Sequence, residues 1–305
     1  MITDKNFGKE LQAGTVAVRM EKTKLGVRKA LNGEQAKTAA DAFDAAQDVL
    51  SARKKLLDTK HPAYRKVTGI QRVATAYWKA YTVPYPITGI RLLNRDKLEE
   101  FEARMTVFQQ DLQEAVNELQ AVYKEMQKAA EEKLGTLYDE HDYNESIVNE
   151  FSIAWDFPSL TPPDYLKQLN PDLYEREAQK VAAKFSEAVD IAEQMFATEL
   201  QDLVTRLTER LSPEPGTGKF KIVKNCLVDG MNEFFVRFKT LNIGSNEKLT
   251  ELVEAAEMLF NGVDPETLRK SQEMKTTVHT GLSELKEKLD EMLVDAPERA
   301  FDFDD

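Results

Sequence analysis

Cysteine is nearly missing from this chain: Cys226 is the single one in 305 residues. One thiol excludes an internal disulfide framework and suits a reducing compartment. Histidine is scarce as well, with His61, His141 and His279 far apart in sequence. No apolar run approaches the roughly 18 residues that span a bilayer. The opening segment MITDKNFGKELQAG lacks the apolar core of a signal peptide. No internal repeat of about 20 to 50 residues is present, which argues against a solenoid. These absences predict a soluble, cytoplasmic protein with no membrane contact, no cofactor site and no evident small-molecule substrate.

Charge is plentiful. Charged residues make up 31% of the chain and hydrophobic ones 42%, with a net charge of −12. That mixture fits long helices that bury one stripe and leave a wide solvated face. The charge is uneven. Residues 1–94 hold 17 Lys and Arg against 8 Asp and Glu, a net +9, and the rest hold 24 against 45, a net −21. Such asymmetry fits a basic binding surface beside an acidic body, head-to-tail self-association, or neutralisation within one molecule.

The strongest pattern is apolar. Leu98, Phe101, Met105, Phe108, Leu112, Ala115, Leu119, Val122, Met126 and Ala129 recur at steps of three and four. This 3.5-residue period marks a long, coiled-coil-like helix packed along its length. Val116, Tyr123 and Ala130 widen the buried face, and Gly135 stops the helix. A second long helix starts at Asn170-Pro171, an N-cap followed by a first-turn proline, and reaches Leu211. Its face steps by four at Ala192, Phe196 and Leu200, as a stutter does. Two helices of matching length predict an all-α, elongated helical bundle built on a long antiparallel helical hairpin.

Other segments fill the frame. Helices are expected over residues 34–57, 64–81 and 145–155, and three more within residues 220–294. TVAVRM at 15–20 alternates weakly as a strand would, yet has no obvious partner. Two prolines and a glycine within residues 81–94 forbid a helix and predict an ordered loop against the bundle. The expected organisation is a basic helical region at 1–94, the hairpin at 95–211, a three-helix region at 212–294 and an acidic, disordered tail at 295–305. SPEPGTG at 212–218 is the clearest linker.

Motifs for chemistry are weak. GTGK at 216–219 lacks the glycine spacing and the Ser or Thr of a phosphate-binding loop. The acidic turn with Asp139, Glu140, His141, Asp142 and Glu145 has no calcium-loop spacing and reads as a helix connection. Cys226 reads as a small buried apolar residue. Carboxylate pairs occur on every helix and single out no acid–base pair. The sequence therefore predicts no catalytic residue, no metal site and no enzyme.

The basic segment offers the alternative function. Arg53, Lys54, Lys55, Lys60, Arg65, Lys66, Arg72 and Lys79 are interleaved with Tyr64, Tyr77 and Trp78. Cations that neutralise phosphates and aromatics that stack on bases suit single-stranded nucleic acid. The same spacing also fits a solvated basic face over a packed aromatic one.

Residues 64–158 carry a family pattern. Thr82, Pro84 and Tyr85 are followed by Gly89, Arg91, Leu92 and Leu93, then by the long helix with Tyr123, Leu134-Gly135, Asp142-Tyr143, Phe151 and Pro158. This third of the chain resembles an uncharacterised helical family of phages, plasmids and bacteria, often encoded beside MoxR-type AAA+ ATPases and von Willebrand A-domain proteins. The resemblance implies a scaffold or adaptor near such a machine and supplies no catalytic residue. The expected function is a non-enzymatic scaffold or adaptor that self-assembles or docks on a protein partner, with the phage origin that the resemblance implies. Its candidate contact residues are Pro84, Tyr85, Arg91, Trp155 and Phe157. Exposed aromatics beside prolines suit an interface, and burial in the frame is the competing reading.

Overall fold

The apolar stripe after residue 97 forms one helix in the computed structural model, which describes residues 4–212, 225–241, 247–263 and 265–294. The chain divides into two units that interleave in sequence. Unit 1 comprises Met1–Arg19, Ala80–Lys97 and Phe157–Asp305, and unit 2 comprises Met20–Lys79 and Leu98–Asp156.

Unit 2 is organised by two helices, α3 (Pro62–Ala80) and α4 (Leu98–Leu134). Helix α3 buries Tyr64, Val67, Gln71, Ala74 and Trp78, spaced at three and four residues. Helix α4 buries Phe101, Met105, Phe108, Leu112, Ala115 and Leu119 as the stripe predicts. Further along, Ala129 is exposed and Val122 half-buried, while Tyr123, Met126 and Ala130 are buried. A straight helix drifts by about 20° per heptad from a 3.5-residue seam, so the buried face moves onto the neighbouring stripe. The ring of Tyr77 on α3 stacks on Phe101 at 5.9 Å and meets Phe108 edge-on at 5.6 Å.

Unit 2 also contains strands. β1 (Thr15–Thr23) ends in it, and β6 (Ser152–Asp156) neighbours β1. Buried Gln71 donates to the carbonyls of Thr23 at 2.7 Å and Ser152 at 3.1 Å, tying both strand ends to α3. The helix expected over 145–155 is replaced by turns and β6, because Phe151 and Ile153 are buried with a period of two. The helix expected over 34–57 is also shorter. α2 (Gly33–Asp41), with a full capping box at Asn32 and Gln35, ends at once, and Asp44 turns the chain at φ +51°. A short ribbon follows, β2 (Arg28–Ala30) pairing antiparallel with β3 (Arg53–Lys55). Phe43 and Val49, both within the expected helix, are 78% and 76% exposed.

Unit 1 holds the rest of β1, with β4 (Thr82–Pro84), β5 (Ile90–Asn94) and the other helices. β5 pairs with β1 from Thr15↔Asn94 to Arg19↔Ile90, and with β4 from Thr82↔Leu93 to Pro84↔Arg91. This corrects the all-α expectation: the protein is mostly helical with small antiparallel sheets. TVAVRM has its strand partner in the segment expected as a loop. The prolines forbid a helix there but not an edge strand, and β4 is the edge of the strand order β4-β5-β1-β6. Gly89, at φ +78°, makes the turn between β4 and β5.

Behind the hairpin runs α6 (Pro171–Leu211), its Asn170 side chain accepting from the backbone N–H of Leu173 at 3.0 Å. Its 41 residues make a rod of about 60 Å. It packs with α1 (Asp4–Gly14), α5 (Tyr165–Leu169), α7 (Asn225–Leu241), α8 (Glu247–Phe260) and α10 (Gln272–Val294). Short α9 (Pro265–Lys270) precedes α10. Phe196 of α6 meets Phe234 and Phe238 of α7 edge-on, the aromatic centre of this core. α1 approaches α6 closely at Gly8, where a Cβ would lie 2.9 Å from Ser186 Oγ and 3.3 Å from its backbone nitrogen. The GTGK segment and the tail at 295–305 lie outside the described residues, as does all but Ser212 of the linker. No helix of the described residues is long and apolar enough to cross a membrane.

Candidate functional site

The β2–β3 ribbon carries five cations in its six residues, and unit 2 treats its two faces differently. In the register Arg28↔Lys55, Lys29↔Lys54 and Ala30↔Arg53, alternate residues share a face. Lys29 and Lys54 fall together and meet Asp142, whose Oδ1 lies 2.6 Å from Lys29 Nζ and whose Oδ2 lies 2.5 Å from Lys54 Nζ. The side chains of Lys54 and Asp142 are each 3% exposed, against 53% for Lys29. Lys54 also donates to the carbonyl of Leu137 at 2.7 Å. Burial pushes the Asp142 carboxyl up, but hydrogen bonds and charge from both lysines outweigh it and hold the group below its ordinary value. Its bond to Asp142 raises Lys29.

The acidic turn is thereby divided. Asp142 points into the unit, whereas Asp139 caps the short turn Glu140–Asp142 by accepting from the backbone N–H of His141. Among the described residues no group of three or more His, Cys, Asp or Glu is placed to hold a metal ion. Beside Asp142 lies a cleft of about 210 Å³, lined by Leu25, Leu56 and Tyr123, with Tyr143, Arg28 and Glu150 among its polar groups. Tyr143 donates to the carbonyl of Leu56 at 2.9 Å and stacks on Tyr138. Burial pushes its phenol up to about 12 and also raises that of Tyr123. Both stay protonated near neutral pH, so they serve as hydrogen-bonding walls rather than proton shuttles.

The other sequence-selected cations scatter over unit 2. Arg53 and Lys55 are exposed on the second face of the ribbon, and Lys60 is exposed on the turn after it. Arg65, Lys66 and Arg72 are exposed along α3, where Lys66 pairs with Glu118 of α4 at 2.7 Å. Arg28 and Lys29 were missed by sequence reasoning. The signal was the repeated doublet, Arg28-Lys29 and Arg53-Lys54, each opening a short strand.

The expected contact residues also separate. Pro84 and Tyr85 are buried in unit 1, and Tyr85 packs edge-on against Phe185 at 5.3 Å. Burial pushes the Tyr85 phenol up to about 12. Arg91 reaches across the hairpin, its Nε donating to Thr82 Oγ1 and a terminal nitrogen to Thr82 O, each at 2.7 Å. Burial, with help from the charge of Arg237, lowers its guanidinium to about 10. Trp155 is half-buried in β6 of unit 2, and Phe157 is 40% exposed in unit 1.

No family model, curated protein or solved structure matches the chain. In unit 1, Ser212 Oγ lies 3.1 Å from His279 Nε2. The same hydroxyl lies 2.8 Å from the Thr208 carbonyl, to which it donates one turn back along α6. Cys226 is exposed, not buried as expected. The most exposed large apolar side chains of the 157–173 segment are Tyr165 and Leu169, 61% and 75% exposed. They stand four residues apart on α5, on one helical face. Beside them Leu160, Pro162, Pro163, Leu166, Leu173 and Val181 line an open groove.

Proposed function

We propose that the protein is a non-enzymatic helical scaffold or adaptor that docks on a protein partner through α5 and the segment before it. The observation that carries this reading is the outward pair Tyr165 and Leu169, with Phe157 upstream. Together they present a rigid aromatic and an aliphatic anchor to solvent. Tyrosine anchors of this kind dominate binding energy at interfaces. The proline-rich segment 158–163 restrains the backbone leading to them, which lowers the ordering cost of docking. In this reading the long helices α4 and α6 are each the rod of their own unit. The resemblance of residues 64–158 makes a MoxR-type AAA+ ATPase the partner to try first, in the cytoplasm, where exposed Cys226 stays reduced.

The test uses the full chain and the variant Tyr165→Ser/Leu169→Ser. Light scattering at about 0.1 and 0.5 M salt reads self-association, and titration against a purified MoxR-type ATPase reads the partner. Complex formation that the variant weakens at least tenfold supports the proposal. Equal binding by the variant, or a wild-type protein that is monomeric and binds no ATPase, overturns it. A higher-order mass that the variant reduces to monomer assigns the surface to a second copy instead.

A further inference from the structure

The second face of the β2–β3 ribbon is not balanced by its surroundings. Lys29 and Lys54 on the first face are answered by Asp142. On the second face Arg28 stands directly opposite Lys55, with Arg53 two residues along the same strand, and all three are exposed. Like charges opposed across a ladder are destabilising. Lys29 and Lys54 pair with Asp142 and Lys66 with Glu118, whereas among the described residues Arg28, Arg53 and Lys55 stand in no ion pair. The acid that feels Lys55 is Asp58, which is held first by the backbone N–H of Lys60 and is shared with Lys133 and Lys60.

A repulsive trio of this kind is relieved by a polyanion laid across it. The joining segment indicates which one. Phe43, between the two strands in sequence, is 78% exposed, and the next residue, Asp44, turns the chain in the left-handed region. Cations that follow a phosphate backbone, with an exposed ring on which a base can stack, suit single-stranded nucleic acid. An acidic peptide would meet the cations and leave the ring without a planar partner. We propose that Arg28, Arg53 and Lys55 on the exposed face of the ribbon, with Phe43, form a binding surface for single-stranded nucleic acid. The ribbon supplies the phosphate contacts, and Lys54 belongs to the buried support beneath it. This surface lies in unit 2 and is independent of α5.

The experiment is fluorescence anisotropy of a labelled 30-nucleotide oligo-dT with the full chain between 50 and 200 mM salt. Three neutralised phosphates give a slope of about −2 in log affinity against log salt, a loss of about 20-fold over that range. Arg28→Ser/Arg53→Ser/Lys55→Ser should lose at least tenfold at 50 mM salt and flatten the slope. Lys60→Ser/Arg65→Ser/Arg72→Ser, which removes as much charge elsewhere in unit 2, should bind within about threefold of wild type. Phe43→Ser should weaken binding about fivefold or more with the slope unchanged. Should the triple variant fail to fold, Arg53→Ser, opposite Ala30, replaces it and should reduce the slope by about 0.7. The proposal is overturned by no binding at 50 mM salt, by a ribbon variant that binds like wild type, or by an equal loss in the α3 variant. Insensitivity to Phe43→Ser, or displacement by poly-glutamate at equal charge, would also overturn it in favour of an acidic protein partner.

Discussion

Replacing Asp142 with Asn keeps the size of the side chain and removes its charge, and the geometry sets the cost. Lys29 is half exposed, so its pair with Asp142 is screened by solvent and adds little to the cost. Lys54 is different, because its side chain is 3% exposed and its ammonium keeps only the Leu137 carbonyl when the carboxylate goes. Breaking a buried pair in this way costs about 3–5 kcal/mol. Both tryptophans of the chain, Trp78 and Trp155, belong to unit 2, so intrinsic fluorescence reports that unit selectively. With a urea m-value of about 2 kcal/mol/M, Asp142→Asn should lower the fluorescence midpoint by about 1.5–2.5 M. Lys54→Met removes the buried charge itself and should cost less, about 1–3 kcal/mol, since Asp142 retains Lys29. The double variant should fall short of the sum of the singles by at least about 1 kcal/mol. A midpoint for Asp142→Asn within about 0.5 M of wild type would refute the buried-pair reasoning.

Asp142 is held below its ordinary value, so its contribution is present above the unfolded-state value of about 3.9 and is lost as pH falls through the folded one. Tryptophan-detected stability should accordingly drop below about pH 4, and drop less in Asp142→Asn; identical acid profiles would contradict this. Gln71→Leu deprives the Thr23 and Ser152 carbonyls of their donor and should cost about 1–3 kcal/mol by the same fluorescence assay, with no loss counting against the clamp. Tyr85→Ala empties a site packed on Phe185 and should cost about 3–5 kcal/mol in unfolding followed by circular dichroism. A fully stable Tyr85→Ala protein would instead return that residue to the surface. Gly8→Val places a branched side chain against Ser186 and should cost about 1–3 kcal/mol in the same measurement, whereas an unchanged midpoint would mean α1 does not seat there.

The long helices were legible because their evidence is local. The three-four spacing along α4 and the Asn170-Pro171 start of α6 lie within single segments, and the folded chain carries both. The sheets were not legible. Val16 pairs with Leu93 and Lys29 with Lys54, and strands of three to nine residues leave no period long enough to reveal such distant partners. Alanines within residues 34–57 have high helix propensity, but α2 has little apolar surface to bury beyond Ala40, and propensity alone did not extend it. The candidate site was half visible. Its basic character could be counted, whereas the division of the lysines into a buried support and an exposed face depends on Asp142, far along the chain.

The interleaving of the units sets an order for their formation as the chain is made. Every residue assigned to unit 2 has been synthesised once Asp156 is added, so that unit can close while the ribosome is still at work. Helix α1 is made well before the face it packs on, which belongs to α6, whose residues begin at Pro171. At about 5–20 residues per second, α1 waits roughly 10–30 seconds for its partner. A segment made before either unit is complete thus waits for its place, and during that interval Leu11, buried in the folded protein, is open to chaperones or to a neighbouring nascent chain.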